Sequence, residues 1–349
     1  MNLKPSILAI VMQFIILQGY SNLQAPQIIS NDTVPAKPLM DTVPANASGI
    51  KNTDTVPAPS PKNRCTVRLP LDTLVRLDKF VDPAVQTDRN GYPRPKKWGF
   101  ITNLPSDLLQ VAKSPFQKKN LLGLGIVAGT TALLIWQDQN LIDETKRFAD
   151  NIHLQRETGY KVFLKAGDTK ILKIPTNLNT ALYQLGEGGT SMFIAGGLFI
   201  YGKINKDYRA LQTASDLAEG FVLMGLGTQI LKRITGRQSP FMSTQPGGKW
   251  QPFPSFAEYQ RNTPNYDGFP SGHLATMMCT VTILAENYPE KKWIKPVGYL
   301  IMGLSGFAMM NTEVHWAGDY PLALALGYVS GKIVVGRHKK PAKKLPAMY

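Results

Sequence analysis

From Ser114 onward the chain is dominated by six apolar runs, and these limit the folds open to it. They are Leu121–Trp136, Thr190–Tyr201, Phe221–Leu231, Leu274–Ala285, Val297–Met310 and Leu322–Val335. They are long for strands and rich in Ala, Leu, Gly and Met, a length and content that favour helices. The expectation is an all-α helical bundle of about six helices. Ser114-Pro115-Phe116-Gln117 reads as a helix start, with Ser as cap, Pro in the first turn and Gln reaching back.

The runs are shorter than the roughly 20 apolar residues a membrane span requires, and Glu187, Glu219 and Lys332 lie in or near them. Those features alone describe a bundle with buried faces. The basic residues argue the other way. Lys118-Lys119, Lys203 with Lys206 and Arg209, Lys291-Lys292 with Lys295, and Arg337 with Lys339-Lys340 all fall on one side of an alternating six-span arrangement, as membrane proteins distribute charge. Membrane association is therefore expected, with Glu187 and Glu219 facing the bundle interior or water.

The first 113 residues have a different character. Lys4, the apolar stretch from Ile7 to Leu17 and the small residues around Gly19-Tyr20-Ser21 read as an export signal over 1–21. An uncleaved anchor is the alternative. Asp-Thr-Val-Pro-Ala recurs at Asp32, Asp41 and Asp54, and repeated prolines with little apolar surface predict a disordered Pro-rich spacer over 22–63. Residues 64–113 form a mixed extension with turns at Asp88-Arg89-Asn90-Gly91 and Pro93-Arg94-Pro95, and a short helix near Asp107–Val111. The helical domain then runs over 114–336, with a basic tail at 337–349. Export and the basic clusters disagree about sidedness, because a cleaved signal puts the loops that follow the third and fifth runs on the cytoplasmic side. The two cysteines, Cys65 and Cys279, suggest neither a disulfide framework nor a metal site. The net charge of +15 suits anionic partners, and no nucleic-acid-binding motif accompanies it.

Three short stretches between the runs carry chemistry: Lys232 to Pro240, Phe269-Pro270-Ser271-Gly272-His273, and His315-Trp316-Ala317-Gly318-Asp319. Cleaving a phosphate ester needs a cation and N–H donors fixed before reaction. Lys232 offers the charge, Ser271 a hydroxyl, and Gly272 a backbone N–H free of side-chain obstruction, at what reads as a helix start. One imidazole must attack phosphorus while another protonates the departing oxygen. His315 and Asp319 are four apart, so a helix would put them on one face, where the carboxylate can fix the imidazole tautomer.

Together these stretches resemble the type 2 phosphatidic acid phosphatase / vanadium haloperoxidase superfamily. Its pattern is Lys, six residues, Arg-Pro; then Pro-Ser-Gly-His; then Ser-Arg, five residues, His, three residues, Asp. Lys232 and Pro240 match the first element, Pro270 to His273 the second, and His315 and Asp319 the third. The resemblance covers roughly residues 114–336. It implies a hydrolase acting through a phosphohistidine on His315, with Asp319 orienting that ring and His273 as general acid. Lys232, Ser271 and Gly272 would hold phosphate oxygens. No metal or organic cofactor is required, and the implied partners are a phosphorylated lipid or small molecule and the membrane. Both motif arginines are absent: Ser239 stands at one position, and Ala308-Met309 replace Ser-Arg. Neither residue supplies a bidentate, permanent charge. Arg237 is the expected replacement, ahead of Arg233 and Lys249. The same loss disfavours the vanadate-binding branch, and it leaves a weakly catalytic or inactive relative that binds anionic lipid or phosphate as the competing reading.

Overall fold

The computed structural model describes residues 88, 92–166 and 169–337; the proposed signal, the spacer and most of the basic tail lie outside these. After a single turn at Gly99–Thr102, the elements are α1 (Leu104–Lys113), α2 (Leu121–Asn151), β1 (Tyr160–Ala166), β2 (Thr169–Pro175), α3 (Leu178–Leu185), α4 (Gly188–Asn205), α5 (Tyr208–Thr235), α6 (Phe256–Arg261), α7 (Gly272–Asn287), α8 (Ile294–Asn311) and α9 (Tyr320–Gly336). The protein is predominantly helical. Each of the six apolar runs lies in a long helix, namely α2, α4, α5, α7, α8 and α9.

Local chemistry explains the element ends. Asp207 opens α5 by accepting the Ala210 N–H, and Asn177 does the same for α3. α5 closes on Gly236, whose φ of +55° lets its N–H return to the Lys232 carbonyl at 2.8 Å. A Cβ there would lie 1.8 Å from the Gln251 carbonyl oxygen, so only glycine fits.

Three features differ from the sequence reading. Ser114 does not cap a helix: it follows α1 with helical backbone angles, and Gln117 is extended. Pro115 has no N–H to continue the α1 ladder, so the chain passes through two 3-10 turns, Ser114–Phe116 and Lys118–Asn120, before α2 starts. The Asn120 amide donates to the Ser114 carbonyl and holds this corner. Second, α2 runs well past Trp136 to Asn151, its later half being polar. Third, β1 and β2 form an antiparallel hairpin, and its Tyr160, Val162, Phe163, Ile171 and Ile174 are residue types that favour strands.

α5, α7 and α9 form the centre, contributing Leu217, Leu223, Met224, Ala275, Cys279, Ile283, Ala323 and Val334 to the core. α7 and α9 meet almost backbone to backbone. A Cβ on Gly327 would fall 2.3 Å from the Ala275 carbonyl oxygen, and one on Gly331 2.7 Å from Thr282. α2, α4 and α8 flank this centre and leave Leu122, Ile126, Trp136, Phe193, Ile204 and Leu300 exposed. α1 belongs to the same body, through buried Val111 and an ion pair between buried Asp107 and Arg337. Glu219 is buried, with the Asn103 amide at 3.4 Å, and Glu187 stands half-buried at the start of α4.

The two ends of the bundle differ. At one end, the Arg209 guanidinium at the start of α5 donates to the Asn287 carbonyl that ends α7, and Lys332 of α9 pairs with Glu286. Arg337 reaches Ser106 of α1 there. Among the described residues, Lys203, Lys206 and Arg209 around the start of α5 and Lys291 and Lys292 after α7 belong to this end. The end of α5 and the starts of α7 and α9 lie at the other. Gly327→Val should lower the unfolding free energy by about 1–3 kcal/mol, the usual cost of overpacking, in denaturant titration, whereas Gly123→Ala on open α2 surface should change it little.

Candidate active site

Four backbone hydrogen bonds build the site at that other end. After Gly236 reverses the chain, Gln238 N–H donates to Lys249 O, Gln251 N–H to Gly236 O, and Gly268 N–H to Arg237 O at 2.8 Å. Ser271 N–H donates to Asp319 O at 3.0 Å and ties the second motif stretch to the third. Three loops far apart in sequence thus become one unit.

His315 is buried at its centre. Its Nδ1 is 2.9 Å from the Gly268 carbonyl oxygen. A carbonyl only accepts, so Nδ1 carries the proton and Nε2 keeps a lone pair. Asp319 Oδ2 stands 3.4 Å from the same Nδ1. The helical face expected for this pair is not what joins them: His315 lies in a bend, and Asp319 ends the 3-10 turn Ala317–Asp319. The Gly268 carbonyl therefore makes the shorter contact, with the carboxylate as a second partner.

The His273 ring approaches that of His315 edge-on, with centroids 5.7 Å apart, and Tyr183 packs on it at 5.1 Å. Burial holds the His273 imidazole well below the ordinary histidine range, and the nearby charges of His315 and Lys232 push it the same way. Ser271 caps α7, its hydroxyl accepting the Leu274 N–H at 3.4 Å. The amides of Gly272 and His273 belong to the first turn, where a helix has no acceptors of its own. Lys232 Nζ lies 3.9 Å from where a Gly272 Cβ would stand, which places the ammonium over this helix start. Lys232, Ser271, Gly272, His273, His315 and Asp319 are thus brought together.

Arg237 has a different role from the one its sequence position suggested. It is wholly buried. Nη1 donates to Asp319 Oδ1 at 2.6 Å, and Nη2 donates to Asp138 Oδ2 at 2.5 Å and to Gly247 O at 2.8 Å. Trp250 and Trp316 lie against the guanidinium at 4.8 and 5.2 Å. With both terminal nitrogens occupied, Arg237 is not a free phosphate clamp. Arg233 stacks on Tyr259 at 4.2 Å, and Lys249 is exposed. Ser239 and Met309, at the two vacated arginine positions, are both buried.

Two residues escaped sequence reasoning. Asp138 is fully buried and also accepts the Gly318 N–H at 2.7 Å; an acid two residues beyond an apolar run was the available signal. Asp267 Oδ2 lies 3.6 Å from Lys232 Nζ, and its position just upstream of the Pro-Ser-Gly-His stretch was the hint. Among the described residues, no group of three His, Cys, Asp or Glu side chains is arranged to hold a metal ion. Beside the site, Pro240, Glu313 and Trp316 line a cleft of about 360 Å³ with Gln139, Ile142 and Ser243.

Residues 213–342 match the model of the PAP2 superfamily. No curated protein matches the sequence. Among solved structures, the chain is similar to the crystal structure of the first transmembrane PAP2 type phosphatidylglycerolphosphate phosphatase from Bacillus subtilis. The identity is 15% and the TM-score 0.34, over 69% of this chain and 96% of that one.

Removing one partner from a buried ion pair leaves an uncompensated charge and typically costs about 3–5 kcal/mol. Asp138→Ala and Arg237→Met should each lose stability on that scale in urea unfolding. Arg147→Ala, at an exposed pair, should stay within about 0.5 kcal/mol.

Proposed function

Residues 213–342 belong to the PAP2 superfamily, and from that premise we propose that the chain is a membrane-associated phosphatase that hydrolyses a lipid phosphate or a related phosphomonoester or pyrophosphate through a phosphohistidine. One observation carries this reading. The Gly268 carbonyl holds the His315 proton on Nδ1, so the Nε2 lone pair is available while His273 stands beside it and Lys232 covers the start of α7.

In the first step Nε2 of His315 forms a bond to phosphorus as the ester P–O bond breaks, and His273 gives its proton to the departing oxygen. Lys232, the Ser271 hydroxyl and the amides at the α7 start hold the phosphoryl oxygens. Asp319, anchored by Arg237, offsets the positive charge that develops on the His315 ring. In the second step water forms the new P–O bond, His273 takes its proton, and the P–N bond breaks, releasing phosphate.

Membrane association is supported by the helix spanning Lys118–Asn151, which is long and apolar enough to cross a bilayer. The exposed apolar residues of α2, α4 and α8 support it as well. Trp136 stands just before Asp138, where an aromatic residue suits the boundary between lipid and water. Export to the cell envelope is part of the proposal and rests on the signal-like segment 1–21. The catalytic domain is taken as 114–336, with α1 packed onto it.

One observation favours a second reading, a relative that binds anionic lipid or phosphate with little turnover: Lys232 is already paired with Asp267 while both motif arginines are missing. Phosphate release from lipid and soluble substrates, measured on wild type and His315→Ala, separates the two. Turnover lost in the variant supports the phosphatase. Saturable binding without turnover supports the second reading, and undiminished turnover in His315→Ala would sink the proposed mechanism.

The depressed His273 pKa adds a pH test. The protonated ring is the acid, so kcat/KM for an alkyl phosphate should fall as pH rises through a value below the usual 6.5. For p-nitrophenyl phosphate, whose leaving group needs little protonation, kcat/KM should lack that limb and largely survive His273→Ala, while kcat should fall because water attack loses its base.

A further inference from the structure

The site of a phosphohydrolase has reason to be cationic, and this one contains an unexpected acid. Asp267 Oδ2 lies 3.6 Å from Lys232 Nζ, and the two side chains are only 17% and 9% exposed. The Ser239 hydroxyl donates to Asp267 Oδ1 at 3.3 Å. The backbone behind it is fixed by the Gly268 N–H bond to Arg237 O. Where the resemblance has an arginine, this chain thus has a hydroxyl that supports a carboxylate. Arg237 brings no free charge, since Asp138 and Asp319 already flank it. Among the described residues, one ammonium and the partial positive charge of a helix start must therefore serve both Asp267 and any bound phosphoryl group.

We infer that Asp267 is a charge-selecting residue, which makes the pocket take singly charged phosphoryl groups, as in a phosphodiester or a protonated phosphomonoester, in preference to dianions. This rests on the reading that Lys232 and the α7 start hold the phosphoryl oxygens. Its physical basis is Coulombic. A dianion is repelled by the carboxylate about twice as strongly as a monoanion in the same position, and burial keeps that repulsion from being screened. Asp267 acts through the affinity of the ground state rather than through bond breaking.

The experiment uses two probes of nearly the same shape: phenylphosphonate at pH 8.5, where it is a dianion, and its monomethyl ester, a monoanion. Their affinities for the full chain in nanodiscs are measured by calorimetry. Wild type should bind the ester at least as tightly as the dianion. Asp267→Asn should tighten the dianion by about tenfold or more, and the ester by only about the square root of that factor. Asp267→Glu should keep the wild-type preference. A merely structural role for Asp267 would weaken both probes together, or leave their ratio unchanged in Asp267→Asn, and either result overturns the inference. Absence of binding by both probes to every variant would overturn the anion-pocket reading itself. That outcome is distinct from binding with an unchanged ratio, which removes only the role of Asp267.

Discussion

The guanidinium of Arg237, closed between the carboxylates of Asp138 and Asp319, is the interaction on which the rest of the site is built. It joins α2 to the loop after α5 and to the turn before α9, three parts of the chain that share no sequence neighbourhood. A charge this deeply enclosed is tolerated only when well paired and hydrogen-bonded. Here two acids, a backbone carbonyl and two indole rings surround it. Asp138 reaches further by accepting the Gly318 N–H, so the polypeptide around Asp319 is held from two directions. Without this network, three carboxylates and two cations would crowd one end of a mainly apolar bundle with little to order them.

That anchoring divides labour around His315. A backbone carbonyl sets which nitrogen carries the proton. A carboxylate, its charge shared with an arginine, stands by for whatever charge the ring acquires. A carbonyl can only accept, so it fixes the neutral ring in the Nδ1–H tautomer. His273 is tuned by other means, through burial and the fields of Lys232 and His315. The two imidazoles therefore differ in environment although they are close neighbours, an arrangement suited to opposite roles in one reaction.

Much of the architecture was legible because hydrophobic run length reports directly on helices, and all six runs lie in them. The gathering of Lys232, His273 and His315 was legible because each occupies a motif stretch at a helix end. Other features required three dimensions. Asp138 meets an arginine 99 positions away, and its place just past an apolar run hints at a role without showing the partner. Arg237 looked available because sequence shows its charge but not its partners. The Ser114 motif has the letters of a cap, yet α1 extends up to it and takes its backbone into helical angles. The hairpin at 160–175 was passed over because its apolar stretches, Val162 to Leu164 and Ile171-Leu172, are short and broken by lysines.

The near-contact of α7 and α9 at Gly327 and Gly331 bears on how this site can move. Ser271 and His273 sit at the top of one of these helices, and His315 to Asp319 lead into the other. Two rods touching along their backbones cannot slide or tilt apart without breaking that contact, so the start of α7 and the turn that leads into α9 are held close together. The long connection between Gly236 and Gly268 is tied to the same frame, through Arg237 to Asp138 and Asp319, through Gln238 O to Trp316 and through Tyr259 to Gln229. A side chain larger than hydrogen at Gly327 or Gly331 would therefore be felt at the motif residues that these two helices carry.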